Sequence, residues 1–217
     1  MNRSVEIISL QETTEQVVFV VDDDESVQVA LTHLLQSMNL HVEVFGTATA
    51  FLEGALPNIP SCLVLDIRLP GLTGLEFQDV LAKANIQIPI VFMTGYADVP
   101  MSVKAMKAGA IDFLPKPFRD QDMLEAVFRA LDQDSKRRDS VRAASRLRRL
   151  FTSLTRRERQ VLPLVISGLM NKEIAYRMGI SEITAKIHRG HMMKKMEARS
   201  LVDLVRIAEI LDIKRIN

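Results

Sequence analysis

Short apolar runs rich in β-branched residues alternate with amphipathic stretches over residues 17–132, and that alternation leaves few folds open. The runs are VVFVVD (17–22), HVEVF (41–45), CLVLDI (62–67), IPIVFMT (88–94) and DFLP (112–115), each too short and too β-branched for a stable helix. Between them lie amphipathic stretches at about 26–38, 48–56, 74–84 and 99–108, and a fifth begins near Phe118. Five strands separated by helices predict an α/β fold, a five-stranded parallel sheet covered on both faces. Such sheets place their ligand sites beyond the carboxyl ends of the strands, near the topological switch point.

That edge is where the polar residues gather. Asp22 and Asp23 follow the first predicted strand, Asp66 ends the third, Thr94 ends the fourth and Lys116 follows the fifth. Three carboxylates in one partly buried pocket repel one another, and a divalent cation relieves the conflict. Oxygen ligands without histidine or cysteine point to Mg²⁺. A metal beside a carboxylate, a hydroxyl and an ammonium predicts phosphoryl transfer, with Asp66 as nucleophile and Thr94 and Lys116 holding phosphoryl oxygens. Asp24, the next acid, reads as a first-turn residue of the following helix, favoured by the helix dipole.

Charge divides the chain. Residues 1–132 carry 8 Lys+Arg against 18 Asp+Glu, whereas residues 133–151 carry 7 against 2 and residues 152–217 carry 13 against 7. An acidic half followed by a basic half predicts two modules with different partners, the basic one suited to a polyanion. No apolar run is long enough to span a bilayer, and the start MNRSVEIISLQETTEQ lacks the pattern of a signal peptide, so the expectation is a cytoplasmic protein without a membrane partner. Residues 1–15 read as a loosely held extension. The single cysteine, Cys62, lies in an apolar run and reads as a small buried hydrophobe.

The segments VVDDDES, LVLDIRLPGLTGLE, IVFMTGYAD and KAGAIDFLPKPF resemble the receiver domain of bacterial two-component response regulators, over about residues 16–132. The resemblance implies a flavodoxin-like sheet of order 2-1-3-4-5 and phosphorylation of Asp66 by a sensor histidine kinase. It implies that Asp23 binds Mg²⁺ directly, that Asp22 acts largely through water, and that the backbone carbonyl of Arg68 is a third protein ligand. It further implies a cis bond between Lys116 and Pro117, and a switch in which Thr94 moves toward the phosphoryl group while Phe113 turns inward. Phe113 lacks the hydroxyl of the tyrosine often found there, so its switching must rest on packing; a static core role is the alternative. Repacking of helix 99–108, the last strand and the last helix would then form a homodimer surface.

From residue 119 to 151 there is no glycine or proline, and apolar residues recur at 124, 127, 128, 131, 141, 144, 147 and 150, predicting a long linker helix over 133–150. The stripe lapses between Asp134 and Arg138, where a kink or frayed turn is expected. Beyond it, Thr155 and Glu158 form a capping-box pattern and Gly168 a helix stop. Asn171 reads as the cap of a short second helix that stops before Gly179, Ser181 caps a third, and SLVDLVRIAEILDI supplies a fourth. Short helices joined across Gly179-Ile180-Ser181 predict a four-helix, all-α helix-turn-helix domain over 151–217; periodicity alone leaves a plain helical bundle open.

LTRRERQVLPLVISGLMNKEIAYRMGIS and the later H…KKM resemble the LuxR-type DNA-binding domain, over about residues 150–213. With the receiver, the whole chain resembles a regulator of the FixJ/NarL type, which implies double-stranded promoter DNA and RNA polymerase as partners. In the third helix Ala185, His188, Met192 and Met196 share an inward face. Lys186, Ile187 and Gly190 fall opposite, where the resemblance implies base contacts, and Arg189 and Lys194 are better placed for phosphates. Ile183 and Gly190 depart from the usual residues there. Two rivals stand beside a transcriptional regulator. The lack of a second acid at Arg68, two positions after Asp66, argues against an aspartyl-phosphate hydrolase; the other rival is an interaction module whose helical bundle binds protein or RNA, and the scarcity of aromatics after residue 151 disfavours single-stranded nucleic acid as its ligand.

Overall fold

The computed structural model describes residues 16–95 and 98–216, which divide into two compact units, one ending at Arg138 and the other beginning at Asp139. The extension expected over residues 1–15 lies outside the described residues.

In the first unit, β1 (Val17–Val21), β2 (His41–Phe45), β3 (Ser61–Asp66), β4 (Ile90–Thr94) and β5 (Asp112–Pro115) form one parallel sheet of order β2-β1-β3-β4-β5. The order reverses at β1, so the carboxyl ends of β1 and β3 border the crevice in which such sheets bind ligands. The helices are α1 (Glu25–Gln36), α2 (Ala48–Glu53), α3 (Gly74–Lys83), α4 (Val99–Lys107) and α5, which begins at Asp120. Every residue of β1, β3 and β4 is buried, as expected of strands covered on both faces.

Alternate strand residues feed two cores. Phe19, Leu63, Leu65 and Phe92 join Phe51 and Phe77 on one face; Val18, Val20, Val64, Val91 and Met93 join Leu31, Leu35, Met123 and Val127 on the other. Cys62 lies in the second core, where burial pushes its thiol pKa upward. Asp24 is the N-cap of α1 rather than a first-turn acid; its carboxylate accepts from Ser26 N at 2.8 Å.

Helix α5 is continuous from Asp120 to Thr152, so the interruption expected around Asp134–Arg138 is absent. Its buried positions in the first unit are Met123, Ala126, Val127, Ala130, Leu131 and Asp134. The helical stripe therefore does not lapse: a carboxylate takes its next place.

The second unit contains the end of α5 and helices α6 (Arg156–Ile166), α7 (Asn171–Met178), α8 (Glu182–Lys195) and α9 (Leu201–Ile210). Val161, Leu162, Val165, Ile174, Ala185, Met192, Met196 and Leu204 form its core. The capping box at Thr155 and Glu158 is present, and Ser181 Oγ accepts from Thr184 N at 3.1 Å. Asn171 is not the cap of α7 but its first helical residue; Met170 is the cap, and its N–H donates to the Glu173 carboxylate at 2.7 Å. Gly179 ends α7 at φ +64°, a left-handed conformation that suits a residue without Cβ and turns the chain toward α8.

Candidate functional site

Each strand of the first unit delivers its last residue to the same edge of the sheet. Asp22 follows β1 and Asp66 ends β3; they are 0% and 7% exposed. Asp23, beside Asp22, is exposed, and carboxylate oxygens of Asp22, Asp23 and Asp66 lie within 4.8 Å of one another. Thr94 is fully buried at the end of β4, and Lys116 N donates to its carbonyl at 2.7 Å.

Lys116 carries the balancing charge. Its Nζ donates to Asp22 Oδ2 at 2.6 Å and to Asp66 Oδ2 at 2.9 Å. The Lys116–Pro117 bond is cis. Burial by itself would lower the lysine pKa, but hydrogen bonds to the two carboxylates outweigh it and the net direction is upward. For Asp22 burial wins over the opposing hydrogen bonds from Lys116 and the Asp24 N–H, and its pKa is raised.

The remaining lone pairs are directed by backbone. Asp22 Oδ1 accepts from Asp24 N at 2.9 Å, and Asp66 Oδ1 accepts from Arg68 N at 3.0 Å. From α1, the Gln28 side chain donates to the carbonyl of Asp22 at 2.6 Å, steadying the turn that carries the two acids. Gly74 opens α3 so close to this edge that a Cβ would stand 2.5 Å from the Asp66 carbonyl oxygen and 2.9 Å from Ile67 Cα. Gln28 and Gly74 were not among the residues that the sequence singled out. Neither carries chemistry of its own, although the glycine stands in the conspicuous run LPGLTGLE.

Three carboxylates against one ammonium leave a negative, oxygen-only donor set. It suits a hard divalent cation such as Mg²⁺, which takes one or two carboxylates and retains water. One carboxylate oxygen of Asp66 is held by backbone and the other by an ammonium, a geometry in which a nucleophile is aimed and its product oxygens can be neutralised. Phe113, in β5, is half-buried and packs on the core face that contains Phe92.

In the second unit, α8 divides into two faces. Ala185, Met192 and Met196 are buried and His188 is half-buried, whereas Lys186, Ile187, Gly190, Lys194 and Ile183 are exposed. Arg189 is half-buried, with its guanidinium 3.3 Å from Asn171 Oδ1 and 3.5 Å from the Leu169 carbonyl. At the far end of α8, Lys195 Nζ donates to the buried carboxylate of Glu158 at 2.7 Å, tying the helix to the start of α6. Burial would raise the Glu158 pKa, but the bonds from Lys195 and Thr155 overcome it and the net shift is downward. The sequence pattern assigned Glu158 only its capping role; its pairing with Lys195, 37 residues away, is a tertiary fact.

Comparison with known proteins agrees with both halves. The response regulator receiver domain matches residues 18–128, and the luxR family of bacterial regulatory proteins matches residues 152–213. The chain is 54% identical over 201 residues to nodulation protein W of Bradyrhizobium diazoefficiens, covering 93% of this chain and 88% of that protein. It is 42% identical to the transcriptional regulatory protein FixJ of Rhizobium meliloti, covering 90% of this chain and 96% of the relative. Among solved structures, the response regulator StyR matches with a TM-score of 0.82 at 50% identity, over 90% of this chain and 98% of that one. Full-length FixJ from B. japonicum matches with a TM-score of 0.56 at 39% identity, over 94% and 100%. With an acidic pocket at the switch point of a 2-1-3-4-5 sheet and a helix-turn-helix later in the chain, the protein belongs to the response regulators that join a receiver to a LuxR-type DNA-binding domain.

Proposed function

We propose that a sensor histidine kinase phosphorylates Asp66 and that the modification sets how strongly the LuxR-type unit binds promoter DNA. The observation that carries this reading is the position of Asp66 Oδ2, 2.9 Å from Lys116 Nζ within a group of three carboxylates. In the transfer, a carboxylate oxygen of Asp66 forms a bond to phosphorus as the bond from phosphorus to the histidine nitrogen breaks. The electron pair leaves with the imidazole, and the product is an acyl phosphate.

Asp22, Asp23, Asp66 and the carbonyl of Arg68 are the residues that would hold Mg²⁺, which supplies positive charge beside the phosphoryl oxygens. Lys116 exchanges its hold on Asp66 for a phosphoryl oxygen, and the Thr94 hydroxyl donates to another. Movement of Thr94 opens space for Phe113 and alters the α4–β5–α5 face, favouring a homodimer. The limits of the parts are taken as 1–15, 16–132, 133–150 and 151–217.

On DNA, Lys186, Ile187 and Gly190 face base edges in the major groove, and Lys194 meets a phosphate. Arg189 steadies the turn at Asn171 and offers its remaining N–H groups to a phosphate. RNA polymerase is the further partner of such a regulator, in the cytoplasm; among the described residues no helix is long and apolar enough to cross a membrane. The test is incubation with acetyl phosphate and Mg²⁺, followed by mass spectrometry and duplex binding. An added phosphoryl group lost in Asp66→Asn, with tighter duplex binding only when it is present, is the expected result. A phosphoryl group on another residue overturns the reading.

A further inference from the structure

The last buried position of α5 in the receiver unit is occupied by a charge. Asp134 is 0% exposed and follows Met123, Val127, Ala130 and Leu131 on the inward stripe. Burying a carboxylate costs several kcal/mol unless it is paired and hydrogen-bonded. Here it is satisfied from three directions. The Ser61 backbone N–H donates to Oδ2 at 2.9 Å, Arg138 Nε donates to the same oxygen at 2.5 Å, and Arg137 Nη2 donates to Oδ1 at 2.6 Å. Arg138 also donates to Asn58 Oδ1 at 2.9 Å.

The pairing is specific in a way that an apolar residue would not be. A leucine at position 134 would cover the same core and tolerate small shifts along or around the helix axis. A carboxylate bound by one backbone amide and two guanidinium groups accepts a single arrangement, because each bond weakens steeply with misalignment. Ser61 begins β3, and Asp66 ends it. One buried strand therefore has the candidate phosphorylation site at its carboxyl end and the outgoing helix fastened to its amino end. Past Arg138 each of residues 139–143 is exposed.

We propose that Asp134 is a positioning residue: a polar latch that fixes α5 to the amino end of β3, so that the helix leaves the receiver in one defined direction and its position depends on the state of the receiver. The coupling half of this proposal rests on the function proposed above; the latch itself does not.

The test uses the full chain with the variants Asp134→Asn, Asp134→Leu and Asn58→Ala. Amide hydrogen exchange is read by mass spectrometry, and duplex affinity is measured with and without acetyl phosphate on DNA selected by this protein from a random pool. In Asp134→Asn, exchange over residues 132–143 rises at least about tenfold while the amides of β1 and β4 keep their protection. The yield of acyl phosphate is unchanged, and the ratio of phosphorylated to unphosphorylated affinity falls at least about threefold. Asp134→Leu regains packing but not coupling, which separates a latch from a core filler. Asn58 is exposed, so Asn58→Ala preserves the fold and shows the same changes on a smaller scale even where the Asp134 variants unfold. Unchanged exchange in both Asp134→Asn and Asn58→Ala overturns the latch, and full coupling in Asp134→Leu overturns the positioning role. A wild-type affinity ratio of one overturns the proposed function instead, while the exchange data still decide the latch.

Discussion

Lys116 Nζ stands 2.9 Å from Asp66 Oδ2, a contact between residues fifty positions apart in the chain. The same ammonium is 2.6 Å from Asp22 Oδ2, so a single cation holds two carboxylates that would otherwise repel each other. Replacing it with a neutral side chain of similar length should leave the fold in place and remove charge stabilisation where phosphoryl oxygens arrive. Lys116→Met is expected to slow acyl-phosphate formation on the order of 10²-fold, the scale on which single preorganised donors act. Stopped-flow fluorescence or quenched mass spectrometry with acetyl phosphate measures the rate.

Gly74 is a steric requirement of the same site. A Cβ there would lie 2.5 Å from the Asp66 carbonyl oxygen and 2.9 Å from Ile67 Cα, both backbone atoms. Gly74→Ala must displace either α3 or the end of β3. A loss of about 1 to 3 kcal/mol is expected in urea unfolding, together with slower phosphorylation of Asp66. Wild-type stability in this variant would show that α3 is free to shift.

Acid should weaken the DNA-binding unit through Glu158. Its pKa is lowered in the folded state, so its contribution to stability is present above the unfolded value of 4.5 and is lost as pH falls through the lower folded value. Glu158→Gln removes both the charge that Lys195 seeks and this pH dependence. The variant should therefore be less stable than the wild type at neutral pH, with a difference that narrows as the pH falls from 4.5 through the lower folded value. Thermal melts of the full chain across pH, with unfolding of the second unit followed by amide hydrogen exchange in α6 and α8, give the comparison.

Gly190 separates what α8 needs as a helix from what it needs as a reader. It lies inside the helix, and beyond its chain neighbours and the surrounding helix backbone no heavy atom lies within 4 Å of where its Cβ would be. Gly190→Ala should stabilise the free protein by about 0.5 to 1 kcal/mol while weakening duplex binding, because the added methyl stands on the face proposed to meet bases. Calorimetry and fluorescence anisotropy give the two readouts. Unweakened binding would place Gly190 outside the interface.

Lys186 and Lys194 are both exposed on α8 and should still behave differently. Lys186→Ala is expected to cost on the order of 1 to 3 kcal/mol on the selected duplex and to relax preference at one base pair in each half-site. Lys194→Ala should weaken binding equally on selected and scrambled DNA and reduce the salt slope by roughly one. Competition titrations at two salt concentrations distinguish a base contact from a phosphate contact.

The strand and helix pattern, the order of the polar residues and the capping signals at Thr155 and Ser181 were all written locally. Runs such as VVFVV and CLVL are apolar at every position and so call for cover on both faces, and a capping box needs only four consecutive residues to form. For the same reason the sequence could place Asp22, Asp66, Thr94 and Lys116 on one edge: in a parallel sheet every strand ends at the same side.

What the tertiary structure alone decided are pairings between distant residues. Polar residues at 134–138 read as a break in α5 because a periodicity argument assigns charge to solvent, whereas Ser61 and two arginines make Asp134 a buried member of the stripe. Arg189 reads as a free cation for DNA until Asn171 and Leu169 are brought to it by the turn at Gly179. Glu158 reads as a cap until Lys195 arrives from α8. Hydrophobic spacing fixes which face of an element turns inward, and so it carries the fold. Whether a charged side chain is solvated or paired depends on donors that the chain supplies dozens of residues away, and only the folded arrangement brings them within hydrogen-bonding distance.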